Sequence, residues 1–197
     1  MMFPRMLLAA FLALTAENLL FAGGAGFSRA LRAARRPQAA GLFAAFITWF
    51  GLISSLAGAK LFPLLPDFGL GQTERLAVLD ALCAAAAYLA TAFLLRRLLP
   101  RLYEDCALLL APAAANTLVL AMPFVRQTFG FSAFEAIGYA FGTGAAFFLA
   151  EVVLSHAMEK SRNPDAPRAF SGLPAALLYI GILSMAFAGL TGTKVFS

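Results

Sequence analysis

Apolar residues in this chain run in long blocks, with few polar positions spaced to make a wet helix face. Six blocks reach the roughly 20 residues a helix needs to cross a hydrocarbon layer about 30 Å thick. They span Met6–Phe27, Ala39–Leu61, Leu76–Leu95, Cys106–Val125, Phe134–Ala157 and Leu173–Thr193. Polar turns containing Gly or Pro separate most of them. The closest pair, the third and fourth, is divided by Arg96, Arg97, Pro100, Arg101, Glu104 and Asp105. The pattern predicts an all-α integral membrane protein of six transmembrane helices and argues against amphipathic helices around a soluble core. The longest polar stretch, Glu159–Arg168, contains Pro164 and Pro167 and reads as a loop, so residues 1–197 form one membrane domain. The first block is longer than a signal-peptide core and lacks a clean basic start and small-residue cleavage site, so it is expected to stay as a span.

Two blocks carry a shared interruption. Glu17-Asn18-Leu19-Leu20 in the first resembles Ala115-Asn116-Thr117-Leu118 in the fourth. Helix breakers follow each, Gly23-Gly24-Ala25-Gly26 in one and Pro123 in the other. Glycine weakens a helix by about 1 kcal/mol relative to alanine and proline by about 3 kcal/mol. Backbone released from a helix inside lipid must find protein, water or a ligand. Halves of three helices enter the membrane from opposite sides, so the chain is expected to form a 3+3 inverted repeat, about 1–99 and 100–197, with interrupted first and fourth helices. Gly142 and Gly144 in the fifth block are expected simply to let helices approach closely.

Composition agrees with the pattern: 61% of residues are hydrophobic and 13% charged, against about 45–50% apolar in soluble domains. The net charge of +5 matters chiefly through its placement. Ten of the 15 Lys and Arg residues fall in alternate loops: Arg29, Arg32, Arg35 and Arg36 after the first block, Arg96, Arg97 and Arg101 after the third, and Lys160, Arg162 and Arg168 after the fifth. Arg5, Lys60, Arg75, Arg126 and Lys194 are left for the other side. Basic residues mark cytoplasmic loops, so both termini are expected outside a bacterial cytoplasmic membrane. In so apolar a chain the Arg29–Arg36 run marks topology, not nucleic-acid binding.

Candidate chemistry is sparse. Glu17 lies mid-block among Leu14, Leu19, Leu20 and Phe21, where a charge costs about 2.5–3.5 kcal/mol on insertion scales, so it is expected to face a cavity or partner. With Asn18 and Asn116 as neutral oxygen ligands it forms a candidate ion path. Glu151 and His156 are five residues apart, which does not place them on one helix face. His156, the only histidine, is expected at the membrane interface, and Asp80 and Glu135 near segment ends, in reach of headgroups or water. Trp49 is read as a packing residue. Cys83 and Cys106, separated by 22 residues, match no compact metal spacing and read as small packing residues. No Ser-His-Asp set, phosphate-binding loop or dinucleotide fingerprint is present.

The last block is the most specific passage. Pro167-Arg168-Ala169-Phe170-Ser171-Gly172, followed by Gly181-Ile182-Leu183-Ser184-Met185-Ala186-Phe187-Ala188-Gly189-Leu190, resembles the final helix of Rnf/Nqr membrane subunits of the RnfA/NqrE type. Pro100-Arg101-Leu102-Tyr103 with Asn116, Glu17-Asn18 and Tyr139-Ala140-Phe141 resemble other helices of that family. The likeness runs over essentially the whole chain. It implies a membrane subunit of an ion-translocating electron-transport complex that moves sodium ions or protons. It also implies a homologous partner subunit of opposite topology, with each subunit giving cysteines from its first and fourth helices to a shared [2Fe–2S] cluster. Here Ser28 follows Gly26-Phe27 and Thr117 follows Asn116, so hydroxyl residues replace both family cysteines. Such clusters are held by thiolates, with imidazole as the main variant, and no cofactor is expected from this chain. The expected role is a complex subunit retaining an ion path but not the electron carrier; the alternative is a non-redox transporter or assembly subunit on the same scaffold.

Overall fold

The computed structural model describes residues 2–15, 18–21, 24–26, 40–66, 69–160 and 172–191. These form α1 (Met2–Leu14), α2 (Ala40–Leu61), a 3₁₀ turn (Phe62–Leu64), α3 (Gln72–Leu98), α4 (Pro100–Ala114), α5 (Thr117–Phe129), α6 (Ala133–Lys160) and α7 (Leu173–Thr191), with no strand among the described residues. Three stretches, Ala40–Leu64, Gln72–Leu98 and Ala133–Glu159, are long and apolar enough to cross a membrane. The α4–α5 pair makes a fourth when counted as one span bent by 47°. Met2–Leu14 and Pro174–Gly189 are shorter apolar helices.

Local signals set the helix ends. Pro100 opens α4, where a missing N–H costs nothing. Gly130 closes α5 in the left-handed conformation at φ 63°, and the Phe131 N–H donates back to the Arg126 carbonyl. The Glu135 carboxylate accepts from both the N–H and the hydroxyl of Ser132 at the start of α6, the reciprocal arrangement of a capping box.

Helix α2 is central and packs on α3, α4, α5 and α6, while α1 and α7 pack on α6. The core fills the space between them with Ile47 and Phe50 of α2, Leu110 of α4, Leu118 and Met122 of α5 and Phe147 of α6, all buried. Close approach depends on missing side chains. A Cβ at Gly138 or Gly142 would collide with the backbone of α1 at Met6 or Ala10, and one at Gly144 with Thr48 of α2. This is the packing role expected of Gly142 and Gly144.

Three expectations need correction. Pro123 lies inside α5, and the fourth span breaks instead at Ala115–Asn116. A proline removes a single ladder bond, which a kink absorbs, whereas the Asn116 side chain takes an amide the ladder would have used. Asp80, expected in reach of water, is 1% exposed and accepts a hydrogen bond from Ser54 of α2. Trp49 is 48% exposed, and its indole N–H donates to the Thr91 hydroxyl at 3.1 Å. It lies on the outer surface, where the indole nitrogen still finds a partner.

Candidate functional site

The breaks in the first and fourth blocks are built on one device, an asparagine side chain that replaces backbone partners. Past α1, Asn18 is 2% exposed. Its Nδ2 donates to the Leu14 carbonyl at 3.1 Å, and its Oδ1 accepts from the N–H groups of Leu20 at 3.0 Å and Phe21 at 3.1 Å. One side chain thus satisfies an end carbonyl of α1 and two amides of the next turn, groups that lipid could not satisfy. Asn116 is the N-cap of α5: its Oδ1 accepts from the Leu118 N–H at 3.1 Å.

The two breaks meet. The Gly26 N–H donates to Thr117 Oγ1 at 2.7 Å, across 91 residues of sequence. Gly26 has φ +77°, and a Cβ there would lie 2.9 Å from both Asn116 Oδ1 and Leu118 Cγ. Glycine therefore meets two demands here, a left-handed backbone and close contact with the start of α5. The Ala25 N–H donates to the Leu19 carbonyl at 2.9 Å, which folds this segment back on itself. Stacking of Phe21 on Phe187 of α7, with ring centroids 4.6 Å apart, fixes its other side.

Of the residues expected to form the site, Asn116 and Thr117 come together, joined by Gly26. The hydrogen bonds of Asn18 are local, to the backbone of Leu14, Leu20 and Phe21. Glu17 and Ser28 lie outside the described residues. The signal for Gly26 was available in the sequence, since it stands directly before Phe27-Ser28. What the sequence did not reveal is that the asparagine oxygens serve as caps. Asn116 is 0% exposed, and its Nδ2 has no hydrogen-bond partner. This leaves amide donors beside the Thr117 hydroxyl, a pair suited to water or a carbonyl oxygen.

Thr117 presents oxygen where the family resemblance implies a thiolate ligand, and that oxygen already accepts the Gly26 N–H. Cys106, on α4, directs Sγ to the Leu102 carbonyl at 2.6 Å, and Cys83 is buried on α3. Among the described residues no group of three or more His, Cys, Asp or Glu could hold a metal ion. The described donors do not fit a thiolate-held cluster.

A family model described as "Rnf-Nqr subunit, membrane protein" matches residues 6–194. The chain belongs to the Rnf-Nqr family of membrane proteins. One relative is a component of the ion-translocating oxidoreductase complex of Aromatoleum aromaticum, 32% identical over 66% of this chain and 66% of that protein. A component of the proton-translocating ferredoxin:NAD(+) oxidoreductase complex of Clostridium ljungdahlii is 30% identical over 50% of this chain and 51% of that protein. A component of the Na(+)-translocating ferredoxin:NAD(+) oxidoreductase complex of Acetobacterium woodii is 26% identical over 80% of this chain and 81% of that protein. The match thus spans about half to two thirds of the first two relatives' lengths. Within the Rnf-Nqr family, Asn116 and Thr117 fall inside the matched region, as do the three glycines of α6 that seat α1 and α2.

Proposed function

We propose that this Rnf-Nqr protein is a membrane subunit of an ion-translocating electron-transport complex that keeps an ion path through Glu17, Asn18 and Asn116 and does not carry the iron–sulfur electron carrier. The observation behind it is the Gly26–Thr117 hydrogen bond, which joins two helix breaks by a hydroxyl where the family resemblance implies a thiolate. Irregular backbone at membrane depth is tolerated where it is buried in protein or lines a water-filled cavity, and the unpartnered amide of Asn116 supports the second. The names of the relatives from Clostridium ljungdahlii and Acetobacterium woodii include both proton and sodium translocation, so either ion is a candidate cargo.

The proposed architecture is six spans in a 3+3 inverted repeat with halves of about 1–99 and 100–197. Helix pairing supports it: α1 of the first half packs on α6 of the second, and α4 and α5 of the second pack on α2 of the first. Both breaks are capped by asparagine. The charge placement supports a topology with the loops after the first, third and fifth blocks in the cytoplasm and both termini outside a bacterial cytoplasmic membrane. The expected partners are a homologous subunit of opposite topology and the other subunits of the complex.

The test is to purify the native complex and measure iron and visible absorbance in the membrane-subunit pair, with sodium and proton transport measured for Glu17→Gln in parallel. We expect no iron that depends on this chain and a loss of transport in the variant. Iron that disappears when Thr117 is replaced by Val would overturn the missing-carrier reading, and full transport by Glu17→Gln would remove the ion path. Purification without flavin- or ferredoxin-type partners would favour the non-redox transporter or assembly role.

A further inference from the structure

Glu151 is the one described acid whose burial brings no visible structural return. Among the described residues two acids are fully buried in the helices, Asp80 and Glu151, each 1% exposed. Asp80 accepts the Ser54 hydroxyl. Glu151 has no hydrogen-bond partner on either carboxylate oxygen. Its neighbours on α6 include Phe147, Ala150 and Leu154, all 1% exposed or less. Phe147 meets Phe43 of α2, with ring centroids 5.5 Å apart, so the first turn of α2 lies level with this part of α6.

We propose that Glu151 is a proton-binding site, separate from the Gly26–Asn116–Thr117 layer. An ionised carboxylate buried without a partner is strongly disfavoured, so the buried group must hold a proton or a cation. The geometry selects the proton, since a hard cation needs several oxygen ligands. The nearby hydroxyls on α6 are already turned to their own helix backbone: Thr143 donates to the Tyr139 carbonyl and Ser155 to the Val152 carbonyl. No described charged group of the packed elements is positioned to compensate. Arg5 of α1 lies near Glu135 at the opposite end of α6, Lys60 sits in the last turn of α2, and Arg126 of α5 bonds the Ser55 and Phe131 carbonyls. Helix α7 carries no charged residue. On α6 itself, His156 and Glu159 are exposed near its end, with His156 Nδ1 held at the Val152 carbonyl. Arg35 and Arg36 precede α2 and lie outside the described residues. Glu151 lies about 14 Å from the Lys160 end of its own helix at 1.5 Å per residue, with half-buried Ser155 one turn on.

Dicyclohexylcarbodiimide tests this directly. It adds across the O–H of a protonated, membrane-buried carboxyl to give an O-acylisourea, which rearranges to a stable N-acylurea. The full chain in its native membranes is treated over a range of pH, with and without sodium, and the modified residue is located by peptide mass spectrometry. We expect modification at Glu151 that slows about tenfold per pH unit above its midpoint, following the protonated fraction. It should be insensitive to sodium and absent in E151Q. A second variant, E151L, should remain folded, because no hydrogen bond is lost. Absence of modification at every pH would overturn the proposal, as an ion pair with Arg35 or Arg36 would produce. Protection by sodium would overturn the choice of occupant, and unfolding of both variants would assign Glu151 a structural role. Labelling needs only the folded chain, so its result is independent of the electron-transport reading.

Discussion

Replacing Thr117 with Val changes one atom type at the junction of the two helix breaks. The shape is kept, but the acceptor for the Gly26 N–H is removed. That N–H lies in a part-buried contact, and Gly26 is itself a buried residue, so water is not freely available to replace the lost oxygen. An ordinary hydrogen bond contributes about 0.5–1.5 kcal/mol, and stranding a buried donor raises the loss to about 1–3 kcal/mol. We expect Thr117→Val to destabilise the protein by about 1–3 kcal/mol, while Thr117→Ser, which keeps the oxygen, stays within about 1 kcal/mol of the wild type. The assay is unfolding in mixed micelles titrated with sodium dodecyl sulfate, followed by circular dichroism. Gly26→Ala supplies the other side of a double-mutant cycle. It costs about 1–2 kcal/mol for a left-handed backbone and adds contacts at 2.9 Å with Asn116 and Leu118. Because both variants disturb one contact, their effects should fall short of additivity by at least about 0.5 kcal/mol. Full additivity, or a Val variant as stable as the wild type, would refute the claim that this bond joins the two helix breaks.

Three further outcomes follow from the packing. Gly142→Leu forces a side chain into the α1 backbone at Ala10 and should cost about 1–3 kcal/mol or more; Gly181→Ala, at a site with nothing within 4 Å, should be neutral or stabilising in the same micelle titration. Ser54→Ala leaves buried Asp80 without its one described hydrogen-bond donor and should cost about 1–3 kcal/mol, with the Ser54→Thr variant closer to wild type in thermal melting. Asn116→Ala removes the α5 cap and should cost about 0.5–2 kcal/mol; Asn116→Ser, which retains an oxygen for the Leu118 N–H, should recover part of that loss.

The membrane spans were legible because lipid imposes a simple demand, a long apolar run for each crossing. The second and fifth expected segments agree with α2 and α6 to within three residues at each end, and both helices are long and apolar enough to cross; the sixth coincides with the shorter apolar helix α7. The break in the fourth segment was legible in existence but not in place. Pro123 is the stronger local signal, yet its missing N–H is a one-residue defect inside a helix. Asn116 acts through a side-chain hydrogen bond whose geometry a list of helix propensities does not contain. Asp80 was misplaced for a related reason: distance from a helix end indicates depth but not which face meets Ser54 of the neighbouring helix. The pairing of Gly26 with Thr117 was hidden altogether, because it depends on two segments 91 residues apart meeting in space. The family resemblance singles out Thr117 as a lost sulfur ligand; the structure adds that its oxygen holds a backbone amide.

The seating of α1 against α6 also sets an order of events during synthesis. The chain grows by roughly 120 residues between the end of α1 at Leu14 and the start of α6 at Ala133, which takes about 6–24 s at 5–20 residues per second. Throughout that interval the first helix lacks its main docking surface, and its backbone at Met6 and Ala10 cannot make its close contacts until Gly138 and Gly142 arrive. The newborn amino-terminal half is thus an incomplete object, open to capture by a chaperone, by the insertion machinery or by the wrong helix of a neighbouring protein.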